Sequence, residues 1–141
     1  MIKQGSDKLE PVPNPYAWNA HANMLFIESP PGVGFSINKD PKYNKYNDSR
    51  TAEDNLNSLR QFFKKFPEFQ NHKFWISGES YGGMYLPTLA EQIIDHQDSI
   101  IEGGKLDFQG LMIGNGAMDM DIYWRLKVSP TYFDSHYYLG P

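Results

Sequence analysis

The 141 residues are 40% apolar, carry a formal charge of −4 and have a pI near 5.5, which is enough chain for one modest core. No basic cluster offers a footprint for nucleic acid, and no apolar run approaches the roughly 20 residues of a membrane span. Cysteine is absent, which removes disulfides and thiolate metal sites and leaves the compartment open.

Residues 1–18 are polar and carry Pro11, Pro13 and Pro15, so an extended, irregular course is expected. The opening Met1-Ile2-Lys3-Gln4-Gly5-Ser6 lacks the apolar core of a signal peptide. Asn23-Met24-Leu25-Phe26-Ile27-Glu28 is the first strand candidate, apolar on consecutive positions as a strand buried on both faces would be. It runs into Ser29-Pro30-Pro31-Gly32-Val33-Gly34-Phe35-Ser36, a tight loop at a strand end, where α/β sheets build sites but where a plain connection is equally natural. Residues 37–50 show no periodicity and read as a surface loop. Within them Asn47-Asp48-Ser49 is a glycosylation sequon, which matters only in a secreted protein. Thr51, with Asp54 three residues on, suits a helix cap. Ala52, Leu56, Leu59, Phe63 and Phe66 then form one apolar stripe, and Pro67 stops the helix.

Lys73-Phe74-Trp75-Ile76-Ser77 reads as a buried strand. Gly78-Glu79-Ser80-Tyr81-Gly82-Gly83 follows. Beyond it Met84, Leu86, Leu89, Ala90, Ile93 and Ile94 recur at helical spacing, with a kink expected at Pro87. A strand turning sharply into a helix at a serine between glycines is the nucleophile-elbow arrangement. It lifts the Ser80 hydroxyl above the sheet edge and aims the Tyr81 N–H at a developing oxyanion. Taken alone, the motif is also compatible with an ordinary strand-to-helix turn. His96–Ser99 and Gly103-Gly104 make a loop, and Phe108–Ile113 is the third strand candidate, ending in Gly114-Asn115-Gly116. The tail from residue 117 is aromatic and acidic, with a helix conceivable near Tyr123–Val128. Strand, helix, strand, helix, strand predicts an α/β fold: a parallel sheet with helices on both faces.

Three segments together resemble the serine carboxypeptidase family of α/β-hydrolases. They are Asn14-Pro15-Tyr16-Ala17-Trp18-Asn19 leading into 23–36, Gly78–Pro87 with the elbow, and Ile113-Gly114-Asn115-Gly116. The resemblance covers roughly residues 11–125. It implies a partial α/β-hydrolase fold and a hydrolase that removes C-terminal residues from peptides. Ser80 matches the nucleophile, the Tyr81 N–H one oxyanion donor, and Glu79 the glutamate that binds the substrate's terminal carboxylate. Two carboxylates in hydrogen-bonding distance must share a proton, which favours acid pH. The resemblance implies peptide C-termini as partners, no cofactor and no metal, and a vacuolar, lysosomal or secreted setting. Neither nucleic acid nor membrane is expected as a partner, and oligomeric state is left open.

The family's chain order is Ser, then Asp, then His, and it places both partners far downstream of its Gly-Asn-Gly segment. Asp119, Asp121, Asp134 and His136 match none of its catalytic segments, and His21, His72 and His96 read as surface histidines. The family's Asn-Gly-Gly-Pro-Gly segment is also absent, and with it the strand that would lie between 23–28 and 73–77. The expectation is therefore one partial domain, 1–141, an internal fragment that is inactive and poorly stable alone. Its two orphaned strands would expose backbone groups or pair out of register. An acyltransferase on the same scaffold, or a non-catalytic relic, is the alternative; a lipase or general esterase would carry the elbow without the other two segments.

Overall fold

The structure, a computed structural model, describes residues 11–39, 45–119 and Asp121. Within them, helix α1 (Asp48–Lys65), strand β1 (Phe74–Glu79), helix α2 (Gly82–His96) and strand β2 (Phe108–Gly114) follow in that order. Single turns of 3-10 helix stand at Trp18–Ala20, Pro67–Phe69 and Gln97–Ser99.

Helix α1 begins three residues before the expected Thr51. The Asn47 side chain accepts from the Arg50 N–H at 2.9 Å, satisfying one of the donors that a helix start leaves open. The loop expected over 37–50 is correspondingly shorter. The predicted stripe is buried at Ala52, Leu56, Leu59 and Phe63. Phe66 instead closes the helix as its C-cap, its N–H bonded to the Phe62 carbonyl. Lys64 and Lys65 lie in the last turn, where positive charge suits the helix dipole.

β1 and β2 pair in parallel, Ile76 opposite Leu111 and Glu79 opposite Gly114, with an irregularity between Phe74 and Trp75. A parallel pair requires a crossover, and α2 supplies it. Along β1 burial alternates, with Ile76 inside and Trp75, Ser77 and Glu79 outside. Among the described residues, then, helices cover one face of the sheet. That face meets Leu56, Leu59, Phe63, Leu86, Leu89, Ala90 and Ile93 in one core, joined by Ile100 and Leu106. Phe63 and Phe74 meet edge to face at 5.7 Å between ring centres. Each fully buried leucine, isoleucine or phenylalanine of this core contributes about 1.5–3 kcal/mol. Helix α2 continues through Pro87 as one element. Pro87 is the sixth residue of α2, past the first turn, so it leaves the Gly83 carbonyl without its i→i−4 donor.

Residues 23–28 do not form the expected strand. A strand exists only with a ladder partner. The edge of β1 that is paired is taken by β2, and no backbone hydrogen bond ties 23–28 to another segment among the described residues. Leu25, Phe26 and Ile27 are exposed, Phe26 at 75%, which is the first of the two outcomes expected for an orphaned strand. The loop after it is nonetheless folded on itself. The Phe35 N–H donates to the Glu28 carboxylate, and a Cβ on Gly34, at φ 54, would meet that carboxylate. The helix expected near Tyr123–Val128 lies outside the described residues.

Candidate active site

β1 ends at Glu79 and α2 begins at Gly82, so the chain reverses over Ser80 and Tyr81. Ser80 has φ 58, a left-handed conformation in which its Cβ is crowded by its own backbone. Such a residue persists only where its surroundings over-determine it, and here three backbone bonds do so. The Ser80 N–H donates to the Gly114 carbonyl at 3.1 Å, and the Ser80 carbonyl accepts from Gly83 at 3.1 Å and from Ala117 at 2.8 Å. The elbow is thus held by the turn after β2, where Asn115 is itself left-handed at φ 46.

The glycines explain the close approach. A Cβ on Gly83 would lie 2.6 Å from the Ala117 carbonyl oxygen, and one on Gly116 would collide with the Ile113 side chain. At Gly78 it would press on Leu86 at 3.2 Å, whereas at Gly82 it would make ordinary contacts. Gly83, more than Gly82, is what lets helix and turn close. The doublet Gly82-Gly83 in the motif was the available signal for it.

Tyr81 caps α2 in helical conformation, and its N–H meets no backbone acceptor among the described residues. A free N–H at a helix start, one residue past an exposed serine, is placed to donate to a negative oxygen. The Tyr81 hydroxyl donates to Asp48 Oδ1 at 3.2 Å. That bond and the negative charge of Asp48 push the phenol's pKa above its ordinary 10.0. Sequence reasoning missed Asp48, because nothing local marks a partner 33 positions away. Glu79, the last residue of β1, is exposed beside Ser80, and its side chain packs over Gly114.

No histidine contacts Ser80 among the described residues. His96 bonds the Gln92 carbonyl in its own helix at 3.0 Å. It sits at the far end of α2, about 20 Å from the elbow at 1.5 Å per residue. His21 and His72 are exposed, and His136 and Asp134 lie outside the described residues. A cavity of about 430 Å³ opens between the start of α1 and the end of α2, lined by residues including Arg50, Glu53, Arg60 and His96 but by none of the elbow. No cluster of His, Asp and Glu suited to a metal occurs among the described residues.

A family model described as serine carboxypeptidase matches residues 2–138. The chain belongs to the serine carboxypeptidase family. Its relatives include the lysosomal protective protein of Mus musculus, 48% identical over 103 residues, covering 73% of this chain and 20% of that one. Serine carboxypeptidase-like 35 of Arabidopsis thaliana is 46% identical over 107 residues, 75% of this chain and 22% of that one. Among solved structures, Kex1(Δ)p, a prohormone-processing carboxypeptidase from Saccharomyces cerevisiae, superposes with a TM-score of 0.60 at 32% identity, covering 79% of this chain and 24% of that chain. The chain therefore spans about a fifth of the length of the curated relatives it matches. The elbow between parallel strands is the family's partial α/β-hydrolase fold, as the sequence resemblance implied.

Proposed function

We propose that this chain carries the nucleophile segment of a serine-type carboxypeptidase that releases C-terminal residues from peptides through an acyl-enzyme on Ser80. The observation that carries the reading is Ser80 itself: a serine held at φ 58 between β1 and α2, a strained conformation of the kind that clusters at functional sites. In this reading Ser80 Oγ attacks the scissile carbonyl, and its proton passes to a histidine oriented by a carboxylate, both supplied from outside the described residues. The Tyr81 N–H stabilises the tetrahedral oxyanion. Glu79, beside the nucleophile, receives the substrate's terminal carboxylate through a shared proton. Residues 1–141 constitute one partial domain. The name of the murine relative supports a lysosomal, vacuolar or secreted setting.

The test is reaction of the natively purified protein with a fluorophosphonate probe, alongside assays of C-terminal residue release. Labelling that maps to Ser80, with release of terminal residues, is expected. An unlabelled serine means a non-catalytic protein. Labelling with acyl transfer to an alcohol in place of peptide hydrolysis means an acyltransferase. In the active protein, Glu79→Gln is expected to shift the pH dependence of peptide KM upward, and an unchanged profile removes Glu79 from the carboxylate site.

A further inference from the structure

The sequon Asn47-Asp48-Ser49 is a motif that the elbow chemistry does not use. Asn47 and Ser49 are both exposed, just before and within the first turn of α1. Asn47 Oδ1 accepts the Arg50 N–H at 2.9 Å, so the helix cap engages the oxygen of that amide. Its nitrogen, Nδ2, has no partner among the described residues. N-linked glycosylation takes place at Nδ2 and leaves Oδ1 intact, so cap and sugar are compatible. Asn47 and Ser49 also belong to the wall of the cavity of about 430 Å³, together with Glu53, Gln92 and His96. Its volume lies within the range of small-ligand sites. Its two arginines are already engaged, Arg50 against Asp54 at 3.7 Å and Arg60 on Asn57 and Ser99. His96 Nδ1 faces the Gln92 carbonyl at 3.0 Å. A carbonyl only accepts, so Nδ1 carries the hydrogen and Nε2 is left as an acceptor in the neutral ring. The Glu53 carboxylate accepts, and the Gln92 amide both donates and accepts. This mixture suits the hydroxyl and acetamido groups of an uncharged sugar, whereas an anion would meet the Glu53 carboxylate.

We propose that Asn47 carries an N-linked glycan whose first sugar, a neutral N-acetylhexosamine, rests in this cavity on Glu53, Gln92 and His96. The inference rests on the lysosomal, vacuolar or secreted setting of the carboxypeptidase reading, because the donor is a lipid-linked oligosaccharide diphosphate of secretory membranes. In the transfer, a bond forms from Asn47 Nδ2 to the anomeric carbon as the bond from that carbon to the diphosphate oxygen breaks. The amide gives up one proton, and the lipid diphosphate leaves with the electron pair. Helix α1 then closes with Oδ1 still available to Arg50. The seated sugar links the start of α1 to the end of α2.

The experiment expresses the full polypeptide in which residues 1–141 occur in a eukaryotic cell. The peptide containing Asn47 is read by mass spectrometry before and after peptide-N-glycosidase, which turns a glycosylated asparagine into aspartate. An occupied Asn47 is expected. Ser49→Ala, which spares the Asn47 cap, should abolish the glycan, and Ser49→Thr should keep it. The seat is read from the rate at which the glycosidase releases the glycan from folded protein. Two hydrogen bonds of ordinary net strength are worth about tenfold, so Gln92→Ala with His96→Ala should speed release by about that factor. Glu68→Ala, exposed beyond the end of α1, should leave the rate unchanged. A release rate that the Gln92 and His96 changes do not alter overturns the seat. Fluorophosphonate labelling of the same sample separates the two readings. A reactive Ser80 with a bare Asn47 overturns this proposal alone. An unreactive Ser80 with an occupied Asn47 overturns the carboxypeptidase reading and upholds the glycan. An unreactive Ser80 with a bare Asn47 overturns both.

Discussion

Ser80 occupies backbone space that glycine and asparagine enter at little cost and serine does not; Asn115, at φ 46, makes the ordinary choice. Ser80→Gly is therefore expected to raise stability by about 1 kcal/mol while abolishing fluorophosphonate labelling, a trade readable from denaturant midpoints. Gly83→Ala should act in the opposite sense. Its new methyl would stand 2.6 Å from the Ala117 oxygen, and crowding against fixed backbone costs about 1–3 kcal/mol, measured in the same titration. Tyr81 gives the site an alkaline limit. Its phenol is held above 10.0 by Asp48, so the folded state keeps a proton that the unfolded chain has begun to lose. The bond's contribution is complete below pH 10.0 and disappears as pH rises through the higher folded value. Asp48→Ala should flatten the fall of thermal midpoint with pH above 10.0.

At the scale of elements, α1 depends on a cap and a stripe. Asn47→Ala removes the acceptor for Arg50 and should cost about 1 kcal/mol. Phe63→Ala should cost about 3–5 kcal/mol, because its ring, on the inner face of α1, is fully buried and meets Phe74 edge to face. Both are measurable by loss of helical circular dichroism in denaturant. The stripe was legible because helical periodicity is written in adjacent turns, whereas the start was not, because several residues before it could equally cap a helix. The elbow was legible for a similar reason: strand, glycines, serine and helix are contiguous. Residues 23–28 show the converse. Their composition is that of a strand, but strandedness is a property of a pair, and the sequence of one segment does not say whether a partner is at hand. The bond from Tyr81 to Asp48 was hidden for the same reason, since long-range contacts leave no periodic trace.

At the scale of the whole molecule, the described residues cover one sheet face and leave the other open. Trp75 is 50% exposed and Met112 53%, and Phe26, Phe35 and Ile37 add further apolar surface nearby in sequence, Phe35 at 94% exposure. With two parallel strands whose outer edges are unpaired among the described residues, the isolated 141-residue chain should self-associate. Sedimentation of the purified chain checks this, and a clean monomer with one cooperative thermal transition would contradict it. The bond from Ala117 to the Ser80 carbonyl has a consequence in time. The strained serine is made early, but two of the groups that hold it there, the Gly114 carbonyl and the Ala117 N–H, come from the end of β2 and the turn after it. On the ribosome the elbow cannot close until that later stretch has left the exit tunnel and the parallel crossover has formed. A nascent chain ending before it carries the nucleophile's sequence without its shape, which delays any chemistry at Ser80 until the polypeptide around it has been synthesised.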